Sequence, residues 1–280
     1  MENSRHKPDG RLKTLDMQLL EAIILGVIQG LTEWIPISST GHLKLAERAL
    51  NLTLPVLFDV VLHLGTLAVV VAFFRGDIQK ILSALKGLDF KSDYGKFIPL
   101  IIVGTMPTIV IGLAFHVFLE DVFGEILVIA SAFIVCGVVL CLARIGKERA
   151  DEIGFWQAFL IGVAQGIAVV PGLSRSGLTI TAALLLGIKR EKAFKFSFLL
   201  SIPAIIGALA LTLSEQFNVL AASSFGFAEV AFGVVVAMVV GYLALKLLWK
   251  TIAGGKFHLF AFYCWALGVS LMAALGLHVL

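Results

Sequence analysis

The segment ILGVIQGLTEWIPISSTGH, from Ile24 to His42, recurs as LIGVAQGIAVVPGLSRSG, from Leu160 to Gly177, and this duplication restricts the possible folds more than any other feature. At a constant offset, Gly26, Val27, Gln29, Gly30, Ser38 and Gly41 align with Gly162, Val163, Gln165, Gly166, Ser174 and Gly177, and Phe58 still aligns with Phe194. Each copy reads as an apolar helix, a proline break, a cluster of hydroxyls and glycine, and a second short apolar helix. Duplicated broken helices that carry polar groups in lipid are a site signature.

The setting is a membrane. Hydrophobic residues make up 59% of the 280 and mean hydropathy is +0.99, outside the range of soluble globular chains. Uninterrupted apolar spans fall at about Leu57–Phe74, Phe97–Val117, Ile126–Leu142, Phe194–Leu213, Val230–Leu248 and Phe257–Leu277. Each approaches the roughly 20 residues that cross a bilayer. The helices after the two breaks, Ser39–Leu50 and Arg175–Gly187, rise only about 18 Å against about 30 Å of hydrocarbon, so each copy is expected to be a re-entrant hairpin. The expected fold is therefore an all-α polytopic membrane protein of six transmembrane helices and two re-entrant helical hairpins. A polar tail, residues 1–16, precedes a single membrane domain, residues 17–280, with repeat one at about 17–118 and repeat two at about 154–250. Glu21 and the lack of a small-residue cleavage pattern argue against a removed signal peptide.

Lys and Arg concentrate in Arg75–Lys96, Arg144–Arg149, Gly187–Lys195 and Lys246–Lys256, whereas Glu120–Glu125 and Glu215–Ser224 are acidic or neutral. With six spans and two hairpins, all four basic connections fall on one face, which the positive-inside rule makes cytoplasmic. Both termini and the access to the site then lie on the external side of the plasma membrane. The basic residues Arg5, Lys7, Arg11 and Lys13 oppose this orientation, and the four loops outweigh them. Three spans separate the hairpins, so the copies have inverted topology and their tips should meet near the bilayer middle as one composite site.

The first tip carries acid, base and nucleophile. Gln29 and Glu33 are one helical turn apart and share a face, and their oxygens suit a hard cation, magnesium or calcium. Beyond the break, Ser38, Ser39, Thr40 and His42 open a helix whose free N–H groups favour an anion. Ser39 and His42, three residues apart, suit a nucleophile and its base. The plainer readings are an N-cap for the hydroxyls and hydrogen bonding to neighbouring backbone for Glu33. The second tip supplies Arg175 between Ser174 and Ser176, with Thr179 one turn on, a set suited to phosphate oxygens. Its plainer reading is an ion pair with Glu33, which is compatible with the first if the pair fills an empty site. A carboxylate, cation, serine, histidine and arginine at membrane depth point to phosphoryl transfer on a lipid-borne phosphate.

Asp59 and His63, also one turn apart, either extend the site or bond each other. The pairs Gly26/Gly30 and Gly162/Gly166 read as close-packing surfaces. Cys136, Cys141 and Cys264 lie inside apolar runs and read as inert packing. No Walker A, dinucleotide-binding or zinc-protease pattern is present, and a net charge of +3 without a basic patch gives no nucleic-acid signal.

At these residues the chain resembles the bacitracin-resistance family of undecaprenyl-pyrophosphate phosphatases, over nearly its whole length. The first family motif is met by Gln29, Glu33, Pro36, Ser38, Ser39, Thr40, Gly41 and His42, and the second by Pro171, Gly172, Ser174, Arg175, Ser176 and Thr179. Gln29 stands where many relatives have Glu. The resemblance implies hydrolysis of a C55 polyprenyl pyrophosphate to its monophosphate with a divalent cation, recycling the carrier lipid for cell-wall synthesis and conferring bacitracin resistance. On that reading Ser39, His42, Glu33 and Arg175 are catalytic, Ser38, Thr40, Ser174, Ser176 and Thr179 bind substrate, and Glu33 with Gln29 holds the metal. The partners are the lipid substrate, membrane lipids and a second copy of the chain. The rival class is a flippase or secondary transporter for a polyprenyl phosphate, built on the same inverted repeats.

Overall fold

A computed structural model describes residues 10–50, 52, 56–118, 125–220 and 227–277, and their regular structure is helical apart from one bridge between Ala150 and Ile188. In chain order the helices are α1 (Gly10–Trp34), α2 (Ser39–Ala49), α3 (Val56–Phe73), α4 (Arg75–Lys86), α5 (Phe97–Phe118), α6 (Ile126–Leu142), α7 (Phe155–Ile167), α8 (Arg175–Leu185), α9 (Arg190–Leu220), α10 (Phe227–Ala253) and α11 (Phe260–Gly276). A helix satisfies its own backbone in lipid, which is why long runs of Val, Ile, Leu and Phe fold this way here. Arg5, Lys7, residues 120–124 and residues 221–224, which bear on the orientation of the chain, lie outside the described residues.

Among the described residues five helices are long and apolar enough to cross a membrane, and Phe58–Phe73 passes as a sixth only when joined to Arg75–Lys86 across a break bent by 79°. The five spans expected from Phe97 onward are thus present, the stretch expected at Leu57–Phe74 forms α3, and α4 is a helix where the sequence suggests a loop. Its polar residues Arg75, Asp77, Lys80 and Lys86 alternate with Leu82 and Leu85, which stay exposed. Such an amphipathic helix, turned sharply from the span before it, suits the bilayer surface.

α2 and α8 have 11 residues each and rise about 16 Å, too little to cross. The second hairpin closes where it opened: Arg149 and Ala150 N–H, just before α7, donate to Gly187 C=O just after α8. In the first, Leu43 of α2 packs with Ala22 and Leu25 of α1.

Helix directions follow from which residues meet. Gly26 and Gly30 of α1 face Gly233 and Ala237 of α10, so these helices are parallel; Gly162 and Gly166 of α7 face Gly104 and Ile111 of α5, a second parallel pair. α10 also follows α3, with Phe58 at Gly233 and Gly65 at Val234 and Met238. α9 follows α5, Phe196 on Phe97 and Leu200 on Gly104, but runs against α3, whose last residue Phe73 meets Phe194 near the start of α9. Helices α1, α3 and α10 therefore point one way and α5, α7 and α9 the other. The two hairpins enter from opposite ends, each sheltered by a span of the other half.

The basic connections gather at one end. Lys195 pairs with Asp77 at 2.9 Å, Lys96 with Glu152 at 2.9 Å, Arg190 with Glu148 and Lys189 with Asp151. A cavity of about 260 Å³ opens there among Tyr94, Lys96, Glu152 and Lys192, and no motif residue lines it.

The glycine pairs set how closely the hairpins approach. A Cβ at Gly162 would overlap the Gly104 backbone, whereas one at Gly207 would meet nothing within 4 Å. Gly162→Val is expected to cost at least about 1–3 kcal/mol through overpacking, read as a lower unfolding midpoint in detergent, while Gly207→Ala leaves the midpoint unchanged or slightly higher. Equal midpoints for the two variants would show that the α5/α7 contact is loose.

Candidate active site

The first tip is a strained turn. Pro36 ends α1, and Ser38, with φ 69° and ψ 101°, adopts a left-handed backbone that a residue with a Cβ avoids, at a cost of roughly 1–3 kcal/mol. Its surroundings hold it there. Ser38 Oγ accepts Gly41 N–H at 3.3 Å, capping α2, and Gly172 N–H at 3.0 Å from the second tip. That tip turns at Gly172, φ 99°, where a Cβ would press on Ile129 O and Ala132 Cβ, so only glycine fits. Ser174 Oγ caps α8 by accepting Gly177 N–H at 3.2 Å, and Ser176 Oγ donates to Trp34 C=O of the first tip at 3.0 Å. Cys136 and Cys264 thiols lie 3.9 and 3.8 Å from Pro36 O, giving that carbonyl partners inside the bilayer. The cysteines are thus packing residues, as their sequence context suggests, and two of them also satisfy the break.

The charged centre bridges the tips. Glu33 Oε1 accepts Arg175 Nη2 at 2.8 Å, with only 7% and 15% of these side chains exposed. Glu33 Oε2 accepts Ser39 Oγ–H at 2.6 Å and Gln29 Nε2–H at 3.2 Å, and His63 Nε2 stands 3.7 Å away. Gln29 Nε2 also reaches Thr66 Oγ1 at 3.5 Å. Arg175 lies over the Trp34 ring, 5.4 Å from its centroid, a contact that suits a weakly hydrated planar cation. A carboxylate buried alone would be costly; opposite charge and a donated hydroxyl hydrogen bond make it tolerable. Among the buried side-chain atoms without a hydrogen-bond partner in the described residues are Arg175 Nη1 and Gln29 Oε1. One is a free donor beside a cation and the other a free acceptor beside an anion.

The residues expected to form one site do so in part. Gln29, Glu33, Ser39 and Arg175 converge. His42 does not join them: its Nδ1 faces Ser38 C=O at 2.7 Å and its Nε2 faces Tyr263 Oη at 2.7 Å, and no hydrogen bond links it to Ser39. Three residues along a helix brings two side chains to one face, but these ring nitrogens are already taken. The hydroxyls of Ser38 and Ser176 hold the tips together, that of Ser174 caps α8 and meets Ser176 Oγ within the second tip, and Thr179 Oγ1 bonds Arg175 C=O at 2.8 Å and Ser197 Oγ. Only Thr40, exposed and 3.4 Å from Ser38 Oγ, keeps its hydroxyl in the open. His63, ambiguous in sequence, donates from Nδ1 to Asp59 C=O at 2.8 Å and turns its Nε2 toward Glu33 Oε2, 3.7 Å away. Trp34, Thr66 and Tyr263 also border the site, and sequence reasoning does not single them out. Trp34 follows Glu33 directly and is legible as a neighbour; Thr66 and Tyr263 carry no local pattern.

A hydroxyl sharing its proton with a carboxylate is an activated nucleophile, and a guanidinium with a free edge beside it is a phosphate receptor. Among the described residues no group of three or more His, Cys, Asp or Glu converges on a metal position. The oxygens here that could hold a hard cation are those of Glu33 and the unpartnered Gln29 Oε1.

Residues 22–270 match the family described as bacitracin resistance protein BacA. An undecaprenyl-diphosphatase of Desulforapulum autotrophicum is 43% identical over 271 residues, 90% of this chain and 97% of that protein. One of Carboxydothermus hydrogenoformans is 42% identical, over 91% of this chain and 97% of its own length. Undecaprenyl-diphosphatase 4 of Bacillus thuringiensis is 39% identical over 94% of this chain and its full length.

Proposed function

This chain belongs to the bacitracin resistance protein BacA family, and from that membership we propose that its hydrolysis of undecaprenyl pyrophosphate proceeds where the two hairpin tips meet. The reaction yields the monophosphate and inorganic phosphate, recycles the carrier lipid for cell-wall synthesis and gives resistance to bacitracin. The observation that carries the site is the chain of contacts Ser39–Glu33–Arg175, which takes one residue from each side of the first break and one from the second.

Arg175 binds the head group through Nη1 while Nη2 stays on Glu33, joined by Thr40 and the N–H groups at the starts of α2 and α8. Ser39 Oγ attacks the terminal phosphorus and its proton passes to Glu33 Oε2. The bond from that phosphorus to the bridging oxygen breaks, and undecaprenyl monophosphate leaves with the electron pair. Water then cleaves the phosphoserine, returning the proton to Ser39 and releasing inorganic phosphate. Ser38, Ser174, Ser176 and Thr179 serve the frame. Gln29 and Glu33 would hold a divalent cation, and the unpartnered Gln29 oxygen fits that role; when bound, such an ion supplies charge neutralisation at the phosphate oxygens.

The gathered basic connections support a cytoplasmic position for that end. The first hairpin then opens from the external side, and the substrate arrives from there with its prenyl tail in lipid. Purified protein is expected to release phosphate from undecaprenyl pyrophosphate, to stop on addition of a chelator and to resume with magnesium or calcium. Turnover indifferent to chelation would remove the cation from Glu33 and Gln29. Lipid movement across liposomes without phosphate release would replace hydrolysis by transport.

A further inference from the structure

α11 belongs to neither hairpin, yet two of its consecutive residues reach the first tip. Cys264 lies against Pro36 C=O, and Tyr263 Oη bonds His42 Nε2 at 2.7 Å. The Tyr263 and His42 rings stack at 5.7 Å and 17°, and Phe133 of α6 closes the other side of the imidazole edge-on at 5.2 Å and 87°. A carbonyl only accepts, so His42 Nδ1 carries the proton given to Ser38 C=O, and Nε2 of the neutral ring accepts the Tyr263 O–H. The phenol therefore fixes both the tautomer and the plane of the imidazole.

That plane matters because of what lies at the far end. Ser38 is the residue in the strained left-handed conformation, and Ser39, next in the chain, presents its hydroxyl to Glu33. We infer that Tyr263 is a positioning residue for the hydrolysis: through His42 it anchors the Ser38 carbonyl, and so holds Ser39 Oγ on Glu33. A small displacement of a nucleophile is costly to turnover, while binding of the head group by Arg175 is untouched. The inference rests on Ser39 being the nucleophile. It differs from that reading in predicting a residue whose loss lowers kcat without abolishing the reaction.

The test is Tyr263→Phe, which keeps the stack and removes the donor. Turnover and the 15N spectrum of labelled histidine are measured in nanodiscs, with the His42 signals assigned by His42→Gln. Expected are a kcat lower by about tenfold, the worth of one hydrogen bond, an unchanged KM, and a displaced His42 Nε2 resonance. Tyr263→Trp, which restores an N–H donor, is expected to recover part of both. A displaced resonance with normal kcat would overturn the positioning role, and so would a raised KM with normal kcat, which would assign Tyr263 to the lipid tail. An unmoved resonance would overturn the hydrogen bond itself. Should the phenylalanine variant not fold, 3-fluorotyrosine at the chain's three tyrosines strengthens the donor in the intact protein, and the His42 resonance must then move. Full turnover by Ser39→Ala would instead defeat the nucleophile assignment while leaving the spectral result standing.

Discussion

Ser39→Ala is expected to lower turnover by about a thousandfold or more, because it deletes the attacking oxygen while leaving both tips intact. The cap of α2 and the bond to Gly172 belong to Ser38, and Glu33 keeps Arg175, Gln29 and His63 around it. Binding of substrate and the unfolding midpoint should therefore stay near their wild-type values. The decisive measurement is rapid quench with substrate labelled on the terminal phosphate: label retained on wild-type protein and absent from the variant. Wild-type protein that never holds label, together with a variant of full rate, would leave direct attack by water as the mechanism.

Arg175→Ala is expected to act twice. Losing the phosphate receptor costs about 10²–10³ in turnover, the scale for one donor aimed at developing charge. Leaving Glu33 as an uncompensated buried charge costs about 3–5 kcal/mol of stability. The two effects separate in the double variant Glu33→Gln with Arg175→Gln, which removes the unpaired charge and should recover most of the lost stability with none of the activity. If the double variant regained activity along with stability, the pair would be only a structural link between the copies. An Arg175→Ala protein as stable and active as wild type would dissolve the composite site altogether.

Much of this architecture is legible in the amino-acid sequence alone. The repeat, the breaks at Pro36 and Pro171, and the spans between them dictate hairpins that enter from opposite ends, and the directions of α1, α3 and α10 against α5, α7 and α9 follow that arithmetic. Gln29, Glu33, Ser39 and Arg175 are legible for the same reason: polar side chains in lipid need partners, and few are on offer. What the sequence conceals lies in contacts that periodicity cannot encode. Residue spacing places His42 and Ser39 on one face of α2, but the hydrogen-bond partners of the imidazole come from Ser38 C=O and from Tyr263, 221 positions along the chain. Likewise Ser38 and Ser176 look like ligands for an anion, whereas their hydroxyls meet backbone groups of the opposite tip. A hydroxyl in a motif declares a need for a hydrogen bond and says nothing about who supplies it. α4 escapes notice because its charges resemble a loop until Leu82 and Leu85 are placed on a common side.

The exchange of shelter between the halves also orders events during synthesis. α1 packs on α10, and Glu33 depends on Arg175, so the first hairpin enters the bilayer with neither its neighbour nor its counter-charge yet made. Until α8 and α10 emerge from the ribosome and insert, α1 has only the early helices for cover, and its carboxylate must wait protonated or wet. The second hairpin suffers no such delay, since α5 is already in place when α7 appears. Assembly of the catalytic centre is thereby deferred until α8 and then α10 have been made, and a nascent chain stalled before Arg175 carries the nucleophile without the arginine that would let it react.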